Sequence, residues 1–142
     1  MIQLLRREFT VELPVEKAWR HLARVEQWPS WAKHIKEVRV QPPGPLELKS
    51  VGIIHLINGI KTRFAMTEFN PYRNWKWVGR FLWLSVHYDH QFEELNGRQT
   101  KLIWIVEGGG LGVSVLGRVF AKVYNKNLDR GIPLLIEEIK AL

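Results

Sequence analysis

The sequence predicts an α+β fold: an antiparallel sheet of about six to seven strands, two short helices after the first strand, and a long C-terminal helix. Two observations carry this reading. Between residues 52 and 107, aromatic and β-branched segments are separated by turn-forming pairs, the pattern of a strand meander. From residue 113 to 139 the apolar residues recur instead at intervals of three and four, which is the helical period. With 142 residues the chain has the size of one domain around one core, so 1–142 is read as a single domain.

Each element follows from local pattern. Phe9, Val11 and Leu13 alternate with charged or hydroxyl residues and predict a first strand over 2–13. Pro14 suits a first helical turn, and Val15, Ala18, Trp19 and Leu22 then recur at helical spacing, predicting a helix over 14–25. Gln27-Trp28-Pro29-Ser30-Trp31 breaks it, and Ser30 is placed to cap a second short helix from Trp31 to Ile35. Val38 and Val40 predict a strand ended by three prolines between Pro42 and Pro45. Asn58-Gly59 is the strongest hairpin signal and joins a strand from Gly52 to one ending at Phe69; Asn70-Pro71 marks the next turn. The runs 74–82, 84–95 and 99–107 complete the meander, with turns expected at Leu84-Ser85 and Asn96-Gly97. Pro133 is expected to bend or interrupt the last helix near Asp129 to Gly131.

Composition narrows the function. Hydrophobic residues make up 46% and charged ones 25%, which excludes a disordered or disulfide-dense chain. There is no cysteine, hence no disulfide, no thiolate nucleophile and no cysteine metal site, and the expected location is cytoplasmic. Arg6 and Arg7 interrupt the N-terminal apolar residues, and no apolar run reaches the roughly 20 residues of a membrane-spanning helix. The net charge of +7 is spread from Arg6 to Lys140 without a basic tract or zinc-finger spacing, so no specific nucleic acid is expected. Seven tryptophans in so short a chain supply large rigid surfaces for a core or a pocket.

Four local signatures, in order, carry a family resemblance: Pro14-Val15-Glu16-Lys17-Ala18-Trp19, Trp28-Pro29-Ser30-Trp31, Glu68-Phe69-Asn70-Pro71-Tyr72-Arg73 and Asn96-Gly97-Arg98-Gln99-Thr100. With the element order they make the chain resemble the START-like (SRPBCC) superfamily, whose helix-grip fold is shared with Bet v 1-like proteins, and within it the polyketide cyclase/dehydrase-like branch. The resemblance implies a curved sheet wrapped around the C-terminal helix. A bent sheet cannot bring every inward side chain against one helix, so a space for an apolar molecule is expected between them.

Alternation then nominates lining residues. Phe64 and Met66 share a face opposite Arg63, while Phe92 and Leu102 select the inward face of the last two strands and bring Tyr88, His90 and Trp104 with them. Trp75 and Trp77 share a face opposite Lys76 and Arg80, either the concave lining or an outer patch. Leu116, Val119, Phe120, Val123 and Tyr124 form the lid side of the closing helix. The alternative is that all of these simply fill a core. Arg63 and Arg80 are candidates for holding a carboxylate or phosphate head group at the mouth.

No nucleophile-elbow, zinc-protease, phosphate-loop or dinucleotide motif is present, and no cofactor is expected. His87 and His90 have opposite parity, so a two-histidine metal site is not expected. His90 and Glu107 correspond, by the resemblance, to polar positions of cyclase-like proteins, leaving His90, Tyr88 and Glu107 as catalytic candidates. The expected function is binding or transport of a hydrophobic or amphipathic small molecule, which the resemblance implies to be a lipid, polyketide, quinone or similar compound. One alternative is a cyclase or dehydratase in which His90 moves a proton and Tyr88 polarises a carbonyl; another, implied by the resemblance to START-like proteins, is an interaction module for the ribosome or the respiratory quinone system. A monomer or homodimer, with transient membrane contact, is compatible with each.

Overall fold

A computed structural model describes residues 1–142. The strands are β1 (Ile2–Val11), β2 (Ile35–Gln41), β3 (Val51–Leu56), β4 (Lys61–Asn70), β5 (Asn74–Phe81), β6 (Leu84–Asn96) and β7 (Gln99–Gly109). The α-helices are α1 (Val15–Ala23) and α2 (Val113–Lys140), with a 3-10 helix at Val25–Ser30. All seven strands form one sheet in the order β1-β7-β6-β5-β4-β3-β2, every neighbour antiparallel. This is the helix-grip arrangement. Because β1 and β2 occupy opposite edges, residues 12–34 must cross the concave side from one edge to the other. Register shifts at Gln3/Leu5, Ile35/Glu37, Met66/Glu68 and Glu94/Asn96 add bends to the sheet.

Three local expectations are corrected. The second helix is the 3-10 turn Val25–Ser30, not Trp31–Ile35. Burial of both indoles decides this: Trp28 and Trp31 are buried, Trp28 Nε1 donates to the Leu22 carbonyl at 2.9 Å, and Ser30 donates to Glu138 on α2 instead of capping. The turn between β5 and β6 falls at Leu82-Trp83, because fully buried Leu84 pairs with Phe81 and Ser85 with Arg80. Leu82 accordingly adopts φ 57°, a conformation its side chain does not advertise. Of the two outcomes expected at Pro133, interruption does not occur: α2 is one helix through Pro133, since Pro133 and Asp129 both lie on the exposed face, where water replaces the missing donor.

Helix α2 lies chiefly over β1 and β7. It approaches closely at Gly117, where a Cβ would meet Leu4 Cδ2 at 2.6 Å. Arg7 on β1 reaches Asp129 at 2.7 Å and the Asn125 amide oxygen at 3.2 Å, and His21 on α1 meets Glu138 at 2.7 Å. The helix is therefore tied to one half of the sheet.

Candidate functional site

Six of the seven tryptophans are buried, and they fill the bowl unevenly. At the α1 end Trp19 meets Trp75, Phe92 and Phe69 with ring centroids 5.0, 5.0 and 5.5 Å apart. Trp28 packs on Trp31 and Trp77, and Trp31 stacks on Trp104. These rings fill one end, leaving only a void too small for an organic molecule. The other end differs: α2 leans on β1 and β7, while β3, β4 and β5 curve away from it.

The gap is a cavity of about 230 Å3. Phe64, Trp77, Tyr88, Phe120 and Tyr124 supply its aromatic walls, and Ile35, Ile54 and Leu56 an aliphatic one. Ile60, Val123, Arg63 and Arg80 surround the mouth. No aspartate or glutamate lines it, and neither arginine is engaged in an ion pair.

Two groups are polar and deep. Tyr88 and Tyr124 lie with rings 5.8 Å apart, and none of the side-chain hydrogen bonds within the protein involves either hydroxyl. Burial pushes both phenols well above their ordinary range, and each raises no charge of its own at neutral pH. They are neutral donors facing a cavity, suited to a carbonyl or hydroxyl oxygen of a guest.

His90 is elsewhere. Its ring lies 4.7 Å from Trp77 and 5.1 Å from Trp75, and it is 4% exposed. Burial drives its pKa down to about 3, so the imidazole is neutral at physiological pH. It borders a void of about 20 Å3 shared with Trp28, Trp31 and Trp104, too small for an organic guest. Its Nδ1 and Trp75 Nε1 are buried without protein partners.

The structure thus brings Phe64, Trp77, Tyr88, Phe120, Val123 and Tyr124 around one cavity with Arg63 and Arg80. Trp75, Phe92 and Leu102 are core residues at the plugged end, Met66 and Leu116 are half-buried outside the lining, and Trp104 borders only the small void. Val119 is 53% exposed and turns away from the cavity, because the lid face of α2 passes through Phe120, Tyr124 and Asn127. Glu107 sits opposite His87, with parity opposite to inward Trp104 and Val106, so it cannot act with His90. Pattern did not nominate Ile54, Leu56 or Phe81, although Ile54 and Leu56 share the alternation that selects one face of β3, and His34, expected on or beside a surface helix, also lines the cavity. No three His, Asp or Glu side chains converge as a metal site, and no helix is long and apolar enough to cross a membrane.

Known proteins agree on the architecture. A START superfamily protein of Mycobacterium smegmatis superimposes with TM-score 0.72 at 15% identity, covering 96% of this chain and 97% of that one. An uncharacterised protein of Helicobacter pylori gives TM-score 0.77 at 17% identity over 94% of this chain and 86% of its own. The ZhuI aromatase/cyclase of Streptomyces gives 0.63 at 14% identity over 95% and 89%. At such identities the likeness establishes the fold alone. No curated protein matches the sequence. Residues 3–132 match the family described as polyketide cyclase / dehydrase and lipid transport, and since this is most of the chain, the protein belongs to that family.

Proposed function

We propose that the protein binds a small apolar molecule of one or two rings, carrying an oxygen at its buried end and an acidic group at the mouth. The observation that supports this most is the cavity of about 230 Å3, walled by aromatic rings, with two unengaged phenols at depth and two unpaired arginines outside. Size sets the class of guest. An apolar cavity of ~150 Å3 takes benzene, and drug-sized pockets span ~300–1,000 Å3. A diacyl lipid or a four-ring polyketide would not be enclosed without movement of α2, whereas a naphthalene-sized acid would. Burial of its rings supplies roughly 25 cal/mol per Å2, and Tyr88, Tyr124, Arg63 and Arg80 orient it.

Native mass spectrometry of freshly purified protein, followed by organic extraction, tests the reading. A co-purifying aromatic or short-chain acid, one per chain, is the supporting result. A protein that carries nothing and binds no naphthoate or short-chain acid at millimolar concentration would overturn it.

A further inference from the structure

From Val123 at the cavity mouth, a row of exposed apolar side chains continues along α2 toward its N-terminus. Val115, Val119 and Val123 follow one another at successive turns of α2 and are 68%, 53% and 58% exposed. At the N-terminal end of that stripe, the 59% exposed Trp83 donates its indole N–H to the Leu111 carbonyl at 2.8 Å, fastening the β5-β6 turn to the start of α2. Leu82 and Leu111 on these two loops are 61% and 87% exposed. Across the mouth from Val123, the β3-β4 hairpin tip adds Ile57 and Ile60. Trp83 is the one tryptophan withheld from the core.

Charge follows the same border. The segments 51–67, 71–88 and 108–128, which build it, contain none of the 14 acidic residues of the chain. They present Lys61, Arg63, Arg80, Arg118, Lys122 and Lys126, all exposed and none in an ion pair. On α2 the three cations lie three residues after each exposed valine, so an apolar and a basic stripe run side by side. That pairing of exposed aliphatic groups with uncompensated cations is what an interfacial surface requires: acyl chains receive the former and phosphates the latter.

We propose that the rim of the cavity is a docking face for anionic phospholipid bilayers. Aliphatic Val, Leu and Ile tips between the cations fit acyl chains; RNA would call instead for stacking rings and a continuous cationic groove. Docking sets the mouth on the bilayer surface, so an amphipathic guest can pass between membrane and cavity. This goes beyond guest binding, and its test uses no guest, so either idea can fail alone.

The test is co-sedimentation with vesicles of phosphatidylcholine alone and of phosphatidylcholine mixed equally with phosphatidylglycerol. We expect binding to the mixed vesicles only, weakened by salt as screening shortens to ~3 Å at 1 M. Replacing Arg118 and Lys122 together by Gln is expected to lower partitioning about 25-fold, at about fivefold per cation. Val119→Asp, an exposed position, is expected to lower it without altering the circular dichroism. Acyl chains carrying bromine should quench wild-type fluorescence, and Trp83→Phe should remove most of that quenching. Equal binding to neutral and anionic vesicles, no binding to either, an unchanged Arg118→Gln/Lys122→Gln variant, or binding to polyuridine without binding to vesicles would each overturn the proposal.

Discussion

His90 makes stability depend on pH in a way that can be calculated beforehand. Its imidazole is enclosed by Trp28, Trp75, Trp77 and Trp104, and its folded-state pKa falls to about 3, while the unfolded chain titrates near the ordinary imidazole value of 6.5. The unfolded state therefore binds the proton that the folded state refuses. The stabilisation is complete above about pH 6.5 and is lost as the pH falls from there toward 3. At pH 5, some 1.5 units below the unfolded value, the loss amounts to about 2 kcal/mol at 1.36 kcal/mol per unit. His34, half-buried and lowered by the same cause, adds to it in the same direction. Urea unfolding of wild type and His90→Phe at pH 8 and pH 5 reads the effect. Wild type should lose about 1 M in midpoint more than the variant does, taking a slope of about 2 kcal/mol per M. An identical pH dependence in both proteins would refute the claim that His90 is held neutral.

Other consequences follow from named contacts. Gly52→Ala places a methyl group against the Phe64 ring and 2.7 Å from the Arg39 carbonyl, so thermal unfolding should show a loss of about 1–3 kcal/mol. The displaced ring should also shrink the cavity, and guest affinity should fall with stability. Tyr88→Phe and Tyr124→Phe each remove a donor that the fold does not use, so calorimetry should find weaker binding of an oxygenated guest by about 0.5–1.5 kcal/mol with stability unchanged or higher. Arg63→Gln and Arg80→Gln should weaken an acidic guest and leave its uncharged amide equally bound; a loss common to both would show the arginines acting through packing.

The fold was legible because its signals were periodic. Trp75, Trp77, Phe92 and Leu102 each follow a polar residue, Asn58-Gly59 fixes a hairpin, and α2 repeats its apolar face for seven turns, so the meander and the long helix follow from pattern, while the placement of that helix within a curved sheet was what the family resemblance implied. What pattern does not carry is how space is shared among residues on the same face. Trp75 and Trp77 are equivalent by parity, yet Trp19 covers one and leaves the other beside the cavity. His90 and Tyr88 are likewise equivalent along β6, and only the convergence of four indoles on His90 separates a sealed imidazole from a phenol facing the cavity. Val119 differs from Phe120 by one residue, a rotation of about 100°, which exceeds the precision with which an apolar stripe fixes a helix face. Helix α1 and the 3-10 turn decide these outcomes by bringing Trp19 and Trp28 over the sheet from a distant part of the chain.

The aromatic residues of the bowl fill one end of it and leave a cavity at the other. Titration calorimetry with 2-naphthoate, run on wild type and on Ile54→Trp, addresses this most directly, because Ile54 lines the cavity and an added indole would occupy it. Saturable one-to-one binding to wild type, abolished in an Ile54→Trp protein that unfolds at the same or a higher temperature, is the predicted result. Equal binding by both proteins, or none by wild type, would contradict it.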